Sequence, residues 1–413
     1  MRQAGTNLPK VGQYNRAVVL DQIQLADGIS RVEIAELTGL TPQTVSGIVR
    51  RLIDEGIVRE DGAAVSSVGK PRTLLRVNAD AGRAVGLHFD PIQLACVVVD
   101  LFGRPLVIAQ RPTPPDADPA RITAAMAELV DEVLASAGVT RDRVLGLGLA
   151  APGPIDQAQG MLVAPPQLHN WARVPLKQML AEATGLPVTL DNDATAAAIG
   201  ERWAGAGRGV ANFAYFFLGT GVGGGLVLGH QVHRGGSMNA AEFGHTSVQP
   251  AGPPCYCGNP GCLESLISPA ATVAEVRRRL AAGDGAGSEL GRLFRDNPAA
   301  VDHGVIRLAA ASDDRLAAEV IDTAAERLAT VVVNVVNIVD VDLVVLGGHS
   351  IRHVEARFQR VVERALATRP LARGIRTVPV ALSPLGPDAA VVGSAALVLH
   401  ATYSPRVSEL LSL

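Results

Sequence analysis

Residues 240–264 read AAEFGHTSVQPAGPPCYCGNPGCLE and hold three of the four cysteines of a 413-residue chain. These cysteines lie within eight positions, and a histidine precedes the first of them by ten. One imidazole and three thiolates can close a tetrahedral shell around Zn²⁺, and a shell filled by protein ligands leaves no open position for water. The sequence therefore predicts a structural zinc site at His245, Cys255, Cys257 and Cys262.

A redox dithiol and a set of unliganded core cysteines remain alternatives to zinc. A redox dithiol would normally show C-x-x-C spacing at a strand-to-helix junction, which CYC lacks. Unliganded core cysteines fit poorly with the neighbouring Gly and Pro residues, which are typical of a loop. In a reducing compartment, crowded thiolates are better explained by a cation that holds them deprotonated.

The rest of the composition indicates a cytoplasmic protein. The fourth cysteine, Cys96, lies alone in an apolar run, so the cysteines do not form the dispersed framework of a secreted disulfide scaffold. The first 20 residues show no secretory signal pattern, and no run of about 18 uncharged apolar residues occurs. We therefore expect neither secretion nor a membrane partner.

The N-terminal region shows the pattern of a helix-turn-helix. An amphipathic segment is followed by Ser30 and Glu33, spaced as in a capping box, in a helix that ends at Gly39. Thr41 then caps a second helix, which has proline at its first position and apolar residues on one face. Two short helices joined by a glycine-containing turn predict a DNA-binding unit over residues 1–80.

The polar face of the second helix supplies side chains for base edges and phosphates. After it, residues 56–78 alternate like a β-ribbon around the predicted turn EDG, residues 60–62, and form a basic wing. A small helical bundle with a solvated charged face is the alternative, and charge does not decide between them, since residues 1–80 hold 10 Lys and Arg against 9 Asp and Glu. The predicted DNA contacts are Gln43, Thr44, Ser46, Arg50, Arg51, Lys70 and Arg72.

From residue 81 onward the pattern is that of a mixed α/β module. Strand-like and helical runs alternate, which predicts two lobes at about 81–195 and 196–413 with a cleft between them. The motif GTGVGG, residues 219–224, fits G-x-G-x-x-G, but β-branched and aliphatic residues follow it instead of a helix. We therefore predict a hairpin there, either as a structural turn or as a phosphate loop.

Polar residues around these motifs suit a polyhydroxylated ligand, because a sugar hydroxyl can donate to a carboxylate while it accepts from an amide or imidazole. They are Asp191, Asn192, Asp193, Glu242, His245 and Glu264. Asp193 could act as a general base toward a hydroxyl. Alternatively, Asp191 or Asp193 only caps the helix that begins ATAAAIGER.

Taken together, residues 217–245 (FLGTGVGGGLVLGHQVHRGGSMNAAEFGH) and 255–264 (CYCGNPGCLE) resemble the ROK family of repressors, open reading frames and kinases. The resemblance covers nearly the whole chain. It implies a two-lobed actin-like sugar kinase fold after the winged helix-turn-helix, an arrangement of sugar-responsive transcriptional regulators. It also implies the four zinc ligands above, with Asp193 at the base position of the kinases. The sugar contacts implied are Gly153, Asn170, Asn192, Asp193, Glu242, His245 and Glu264.

One segment departs from the family's kinases, which have G-x-D-x-G-G-T-K near residues 86–93. Here His88 replaces the acid, Asp90 and Pro91 replace the glycines, and Ile92 replaces the threonine. Proline removes an N–H donor and Asp90 adds negative charge beside the phosphates of ATP. The sequence therefore predicts no enzyme activity, and instead a repressor that binds operator DNA and a sugar effector as a homodimer or higher homo-oligomer.

Two alternatives to the repressor stay open. One is an ATP-dependent ROK sugar kinase with an appended DNA-binding domain. The other is a sugar-binding module with no role on DNA.

Overall fold

The computed structural model describes residues 8–26, 28–64, 72–114, 118–166, 168 and 171–404. Its first part is a winged head made of α1 (Leu8–Leu25), α2 (Arg31–Thr38), α3 (Pro42–Asp54), β1 (Val58–Ala64) and β2 (Arg72–Val77). The predicted capping box is confirmed, because the Ser30 hydroxyl accepts from the Glu33 N–H and the Glu33 carboxylate accepts from the Ser30 N–H. Thr41 caps α3 as predicted.

The prediction of a turn at residues 60–62 is wrong. Strands β1 and β2 pair antiparallel as far as Ala64 and Arg72, and the register shifts between Glu60 and Ala63. Gly62 has a φ of 77°, which lets one strand hold extra residues as a β-bulge without ending the ladder. The ribbon therefore continues beyond the bulge, and Lys70 lies outside the described residues.

The first lobe is a five-stranded mixed sheet with helices and a small accessory sheet. Its elements are β3 (Arg83–Phe89), β4 (Gln93–Val99), β5 (Pro105–Pro112), α4 (Pro119–Ala137), β6 (Val144–Ala151), β7 (Ile155–Asp156), β8 (Met161–Val163), β9 (Arg173–Val174), α5 (Leu176–Thr184) and β10 (Val188–Asn192). The strand order is β10-β6-β3-β4-β5, in which β3, β4 and β5 form an antiparallel meander and β6 and β10 are parallel to β3. Strands β7, β8 and β9 form the accessory sheet.

The second lobe repeats this topology. Its elements are α6 (Asp193–Ala204), β11 (Phe213–Leu218), β12 (Val222–Leu228), β13 (Gln231–Val232), α7 (Leu263–Ile267), α8 (Pro269–Ala281), α9 (Glu289–Asp296), α10 (His303–Ala311), α11 (Arg315–Val339), β14 (Leu343–Gly347), α12 (Glu355–Thr368), β15 (Val380–Leu382) and α13 (Ala389–Tyr403). The order β13-β12-β11-β14-β15 again places three antiparallel strands beside two parallel ones. The predicted hairpin at GTGVGG is confirmed, since β11 ends just before the motif and the antiparallel strand β12 begins within it at Val222.

Helices α6 and α13 lie between the two sheets. They approach each other so closely that a Cβ at Gly393 would lie 2.1 Å from the Ala196 carbonyl oxygen. One face of α6, including Ala197, packs with β11 and β12 of the second lobe. Its opposite face, including Ile199 and Trp203, packs with the first lobe and the head. The predicted lobe boundary near residue 195 thus falls within a helix that both lobes share.

The winged head packs tightly on the module through the end of α6. Asp21 on α1 forms an ion pair with Arg202 at 2.8 Å, and the two side chains are only 11% and 5% exposed. The Arg202 guanidinium also donates to the His230 carbonyl at 3.0 Å, and Arg208 donates to the carbonyl of Gln24. Apolar residues of α1, α3, α6 and α13 form one continuous core. Within the described part of the chain, no helix has the length and apolar character needed to cross a membrane.

Candidate functional site

A cavity of about 450 Å³ lies between the two lobes, within the size range of small-molecule sites. Its walls come from the loop after β6, the N-terminus of α6, the β11–β12 turn and the segment around residues 239–245. The predicted sugar contacts that line it are Gly153, Asn192, Asp193, Glu242, His245 and Glu264. Asn170, the seventh, lies outside the described residues.

The N-terminus of α6 supplies two of these residues. Asn192 caps the helix, because its side-chain oxygen accepts from the N–H groups of Ala194 and Thr195 at 2.9 and 3.2 Å. Asp193 is the first helical residue, and it lines the cavity where the helix dipole favours a negative charge. Asp191 is buried and pairs with Arg234. The predicted cap by Asp191 is wrong, since Asn192 is the cap, but the Asp193 carboxylate also accepts from the Ala194 N–H at 2.7 Å at the same helix end.

The glycine turn before β12 makes room for Glu264. A Cβ at Gly221 would lie 2.3 Å from a Glu264 carboxylate oxygen, and that same oxygen accepts from the Val222 N–H at 2.7 Å. A larger residue at position 221 would force the Glu264 carboxylate out of this position. The turn therefore positions an acidic side chain at the cavity. This contact explains the glycine at position 221 of the GTGVGG motif, for which the sequence allowed either a structural turn or a phosphate loop.

Three carboxylates share the cavity, and their proximity changes the ionisation of one. Burial raises the pKa of Glu242 to about 7, and the charges of Asp193 and Glu264 contribute to the same shift. Near neutral pH this carboxyl group is present in both protonation states. It can therefore either donate to or accept from a ligand hydroxyl.

The predicted zinc ligands meet in one cluster beside the cavity. Ligand atoms of His245, Cys255, Cys257 and Cys262 all lie within 4.8 Å of one another. The distance from Cys255 Sγ to His245 Nδ1 is 3.6 Å, as is that from Cys257 Sγ to Cys262 Sγ. A tetrahedral zinc with Zn–S near 2.3 Å and Zn–N near 2.0 Å has ligand separations of about 3.5–3.8 Å. The four residues therefore fit a zinc ion.

The three cysteines of the cluster differ in how readily they ionise. Burial raises the pKa of the Cys255 thiol, and it raises that of Cys262 to about 12. A hydrogen bond from the Asn259 N–H lowers the pKa of Cys257. Metal ligation requires thiolates, so metal binding would release protons from this cluster. The geometry and the donor set thus agree on a metal site.

Tyr256 is a cavity residue that the sequence patterns did not predict. It lies between two predicted zinc ligands, and its hydroxyl is 2.9 Å from His245 Nε2, the ring nitrogen that faces away from the cysteines. Asn239 and Thr220 also line the cavity and were not predicted. The sequence did contain a signal for Tyr256. This residue lies between two predicted metal ligands, Cys255 and Cys257, which would fix the backbone on both of its sides.

Every described member of the predicted DNA-contact set has a side chain that is at least partly exposed. The apolar face of α3 is buried, while Gln43, Arg50 and Arg51 are exposed. Thr44 and Ser46 are partly exposed, and Ser46 and Arg50 line a groove of about 770 Å³ between α3 and the wing. Arg72 is exposed at the start of β2. The structure thus places Ser46 and Arg50 in one groove and leaves the other described members of the set at least partly exposed.

The turn between β3 and β4 is held by the side chain of Asp90. One carboxylate oxygen of Asp90 accepts from the N–H groups of Ile92 and Gln93 at 2.7 and 2.8 Å. Pro91 has no N–H to donate. His88 is buried on β3, with Nε2 at 4.0 Å from Asp193 Oδ2.

The sequence profile described as the ROK family matches residues 86–401, which is more than half of the chain. The chain belongs to the ROK family. A second profile, described as a winged helix-turn-helix DNA-binding domain, matches residues 18–59. The ROK module and the winged head therefore each correspond to a known family.

Relatives of this ROK protein include both repressors and kinases. It is 31% identical over 389 residues to a putative xylose repressor from Caldicellulosiruptor sp. (strain Rt8B.4), covering 94% of this chain and 96% of that protein. A crystal structure of a ROK family transcriptional regulator, a homologue of the Escherichia coli MLC protein, superposes with a TM-score of 0.77 at 25% identity, covering 98% and 100%. A ROK glucokinase from Streptomyces griseus, solved with glucose and AMPPNP, gives a TM-score of 0.69 at 29% identity, covering 76% and 99%.

Proposed function

We propose that this ROK protein is a sugar-responsive, DNA-binding transcriptional repressor of carbohydrate metabolism genes that acts in the cytoplasm. The observation that carries the proposal is helix α6, which begins with Asp193 in the cavity and whose last turn carries Arg202 in an ion pair with Asp21 of the head. At 1.5 Å per residue, its 12 residues span about 18 Å. A ligand that binds in the cavity and changes the arrangement of the lobes therefore acts directly on α6, the helix that holds the head.

The chemistry of the cavity supports a sugar as the effector. Three carboxylates, an amide and an imidazole can pair with several hydroxyl groups at once, and a neutral polyol adds no further negative charge. The names of the relatives make D-xylose and D-glucose the first effectors to test.

The β3–β4 turn supports a regulator without phosphoryl transfer. Phosphoryl transfer depends on donors that cradle the phosphates and on a metal ion that neutralises them. In this turn the N–H groups of Ile92 and Gln93 already donate to the Asp90 carboxylate. The carboxylate also places a negative charge where a phosphate would lie. His88 stands where the kinases of the family have an acidic residue, so the side chain that organises Mg²⁺ is replaced.

A structural zinc completes the proposal. His245 and the three cysteines would hold it with no position left for water, so it stabilises the loop without taking part in chemistry. We further propose that the protein is a homodimer, because a helix-turn-helix reads paired half-sites through two-fold symmetry. The head would comprise residues 1–80 and the sugar-binding module residues 81–413.

One experiment tests the sugar and kinase parts together. The melting temperature of the protein is measured with each of a panel of pentoses, hexoses and N-acetylhexosamines. In a second assay the same sugars are incubated with the protein, ATP and Mg²⁺, and ADP formation is measured. We expect at least one sugar to raise the melting temperature, because a ligand that binds only the folded state stabilises it. ADP formation should stay at the background level measured with heat-inactivated protein. Sugar-dependent ADP release would contradict the regulator, and a panel without any stabilising sugar would contradict the effector site.

The DNA-binding surface is tested by Arg50→Ala. Arg50 is exposed on the outer face of α3, so the variant should keep its fold and lose affinity for DNA by about 1–3 kcal/mol. Fluorescence anisotropy with a duplex selected by the protein from a random pool measures the loss at several salt concentrations. Arg141→Ala, an exposed arginine of the first lobe, serves as the matched control. Unchanged affinity of Arg50→Ala at every salt concentration would show that α3 is not the recognition helix.

A further inference from the structure

Tyr256 extends into the sugar cavity from the cysteine loop. It is 61% exposed, and it lines both the main cavity and a neighbouring one of about 660 Å³. Its ring meets the His245 ring edge to face, with centroids 5.1 Å apart. A large aromatic side chain at this place is not required for core packing, because most of its surface contacts no protein atoms.

The hydroxyl of Tyr256 has the hydrogen-bonding pattern of a sugar hydroxyl. If Nδ1 of His245 faces the metal, Nε2 carries the proton and donates to the tyrosine oxygen at 2.9 Å. The phenolic O–H is then free to donate toward the carboxylates of Glu264 and Glu242, which face it. Accepting from the imidazole while donating to a carboxylate is the pairing that this cavity offers to an effector.

We propose that the Tyr256 hydroxyl occupies, in the sugar-free protein, the position that an effector hydroxyl takes on His245. The inference rests on the proposed function and adds a step to it, since the effector must displace Tyr256 before it can contact the imidazole. The tyrosine therefore reduces the affinity for every sugar. The reduction is largest for ligands that cannot both accept from the His245 imidazole and donate to a carboxylate, as the tyrosine hydroxyl does. In this way Tyr256 helps to determine effector specificity.

The position of Tyr256 also gives the zinc loop a role in recognition. Cys255 and Cys257 precede and follow the tyrosine directly, and a backbone bridge between Pro254 and Pro260 closes the loop around them. The metal would hold the backbone while the side chain rotates. Displacement of the tyrosine is thus a side-chain movement, which leaves the metal ligands in place.

Tyr256→Phe in the full-length protein tests the inference. Calorimetric titration with D-xylose and with D-glucose should show tighter binding by about two- to tenfold, which is the range expected when one competing internal hydrogen bond is removed. Zinc content should equal that of the wild type, which shows that the loop is intact. Tyr14→Phe on helix α1 is the matched control and should bind sugar as the wild type does.

Asp193→Ala separates failure of this inference from failure of the proposed function. Asp193→Ala should abolish sugar binding if the cavity is the effector site. Wild-type protein that binds no sugar of the panel would overturn both proposals. Sugar binding that is lost in Asp193→Ala but equal or weaker in Tyr256→Phe would overturn only the assignment of Tyr256.

Discussion

Cys257→Ser should lose its zinc and, with it, the response to sugar. Zinc binds the thiolate, and a serine hydroxyl stays protonated at neutral pH, so the variant has only three effective ligands. We expect a loss of zinc affinity of more than about 100-fold, since even indirect partners of metal ligands contribute 10–100-fold. The melting temperature should fall as well. Metal analysis of the purified variant and its thermal unfolding measure both effects.

The loss of zinc should weaken sugar binding because the metal site and the cavity share His245. Without the metal, only hydrogen bonds hold the His245 ring, and the loop that carries Tyr256 loses its metal closure. Cys96→Ala provides the control, because Cys96 is a buried cysteine of β4 that is not in the cluster. It should keep wild-type zinc content. A Cys257→Ser protein that lost zinc yet bound sugar normally would refute the coupling between metal and cavity.

Arg202→Ala should weaken the attachment of the head to the module and strongly destabilise the protein. The substitution leaves the buried Asp21 carboxylate without its partner, and breaking a buried ion pair from one side costs about 3–5 kcal/mol. It also removes the hydrogen bond to the His230 carbonyl. Thermal unfolding reports the stability, and the change in DNA affinity on adding sugar reports the coupling, which should decrease.

A double variant distinguishes loss of the contact from an unpaired charge. Asp21→Leu combined with Arg202→Met replaces both charges by apolar groups, and we expect it to recover most of the stability. Arg364→Ala, which removes an exposed ion pair with Glu326, is the surface control and should leave the melting temperature unchanged. Stability of Arg202→Ala equal to the wild type would show that the head does not depend on this contact.

Local sequence patterns were sufficient to predict the head and the cysteine site. Ser30 with Glu33 and Thr41 with Pro42 predict helix starts from neighbouring residues alone, and the structure contains both caps. The clustered cysteines likewise predicted a site from spacing. Six of the seven predicted sugar contacts line one cavity because the family motifs fall at strand ends and at a helix N-terminus that meet between the lobes.

Contacts between distant segments could not be predicted from local patterns. The ion pair between Asp21 and Arg202 joins residues far apart in the chain, and neither residue belongs to a motif. The bulge at Gly62 was mistaken for a turn because a glycine with positive φ occurs in both structures. For the β3–β4 turn, the sequence indicated the loss of phosphate donors, while the hydrogen bonds of Asp90 to that turn required the fold.

The central claim is that a sugar in the interlobe cavity changes the affinity of the head for DNA. The most direct test measures the binding of the full-length protein to its selected duplex at fixed salt, with and without a saturating concentration of the sugar that stabilises it most. A coupling free energy of about 1–3 kcal/mol predicts a 5–150-fold change in the dissociation constant. Equal dissociation constants under both conditions, with sugar binding verified calorimetrically in the same buffer, would contradict this claim.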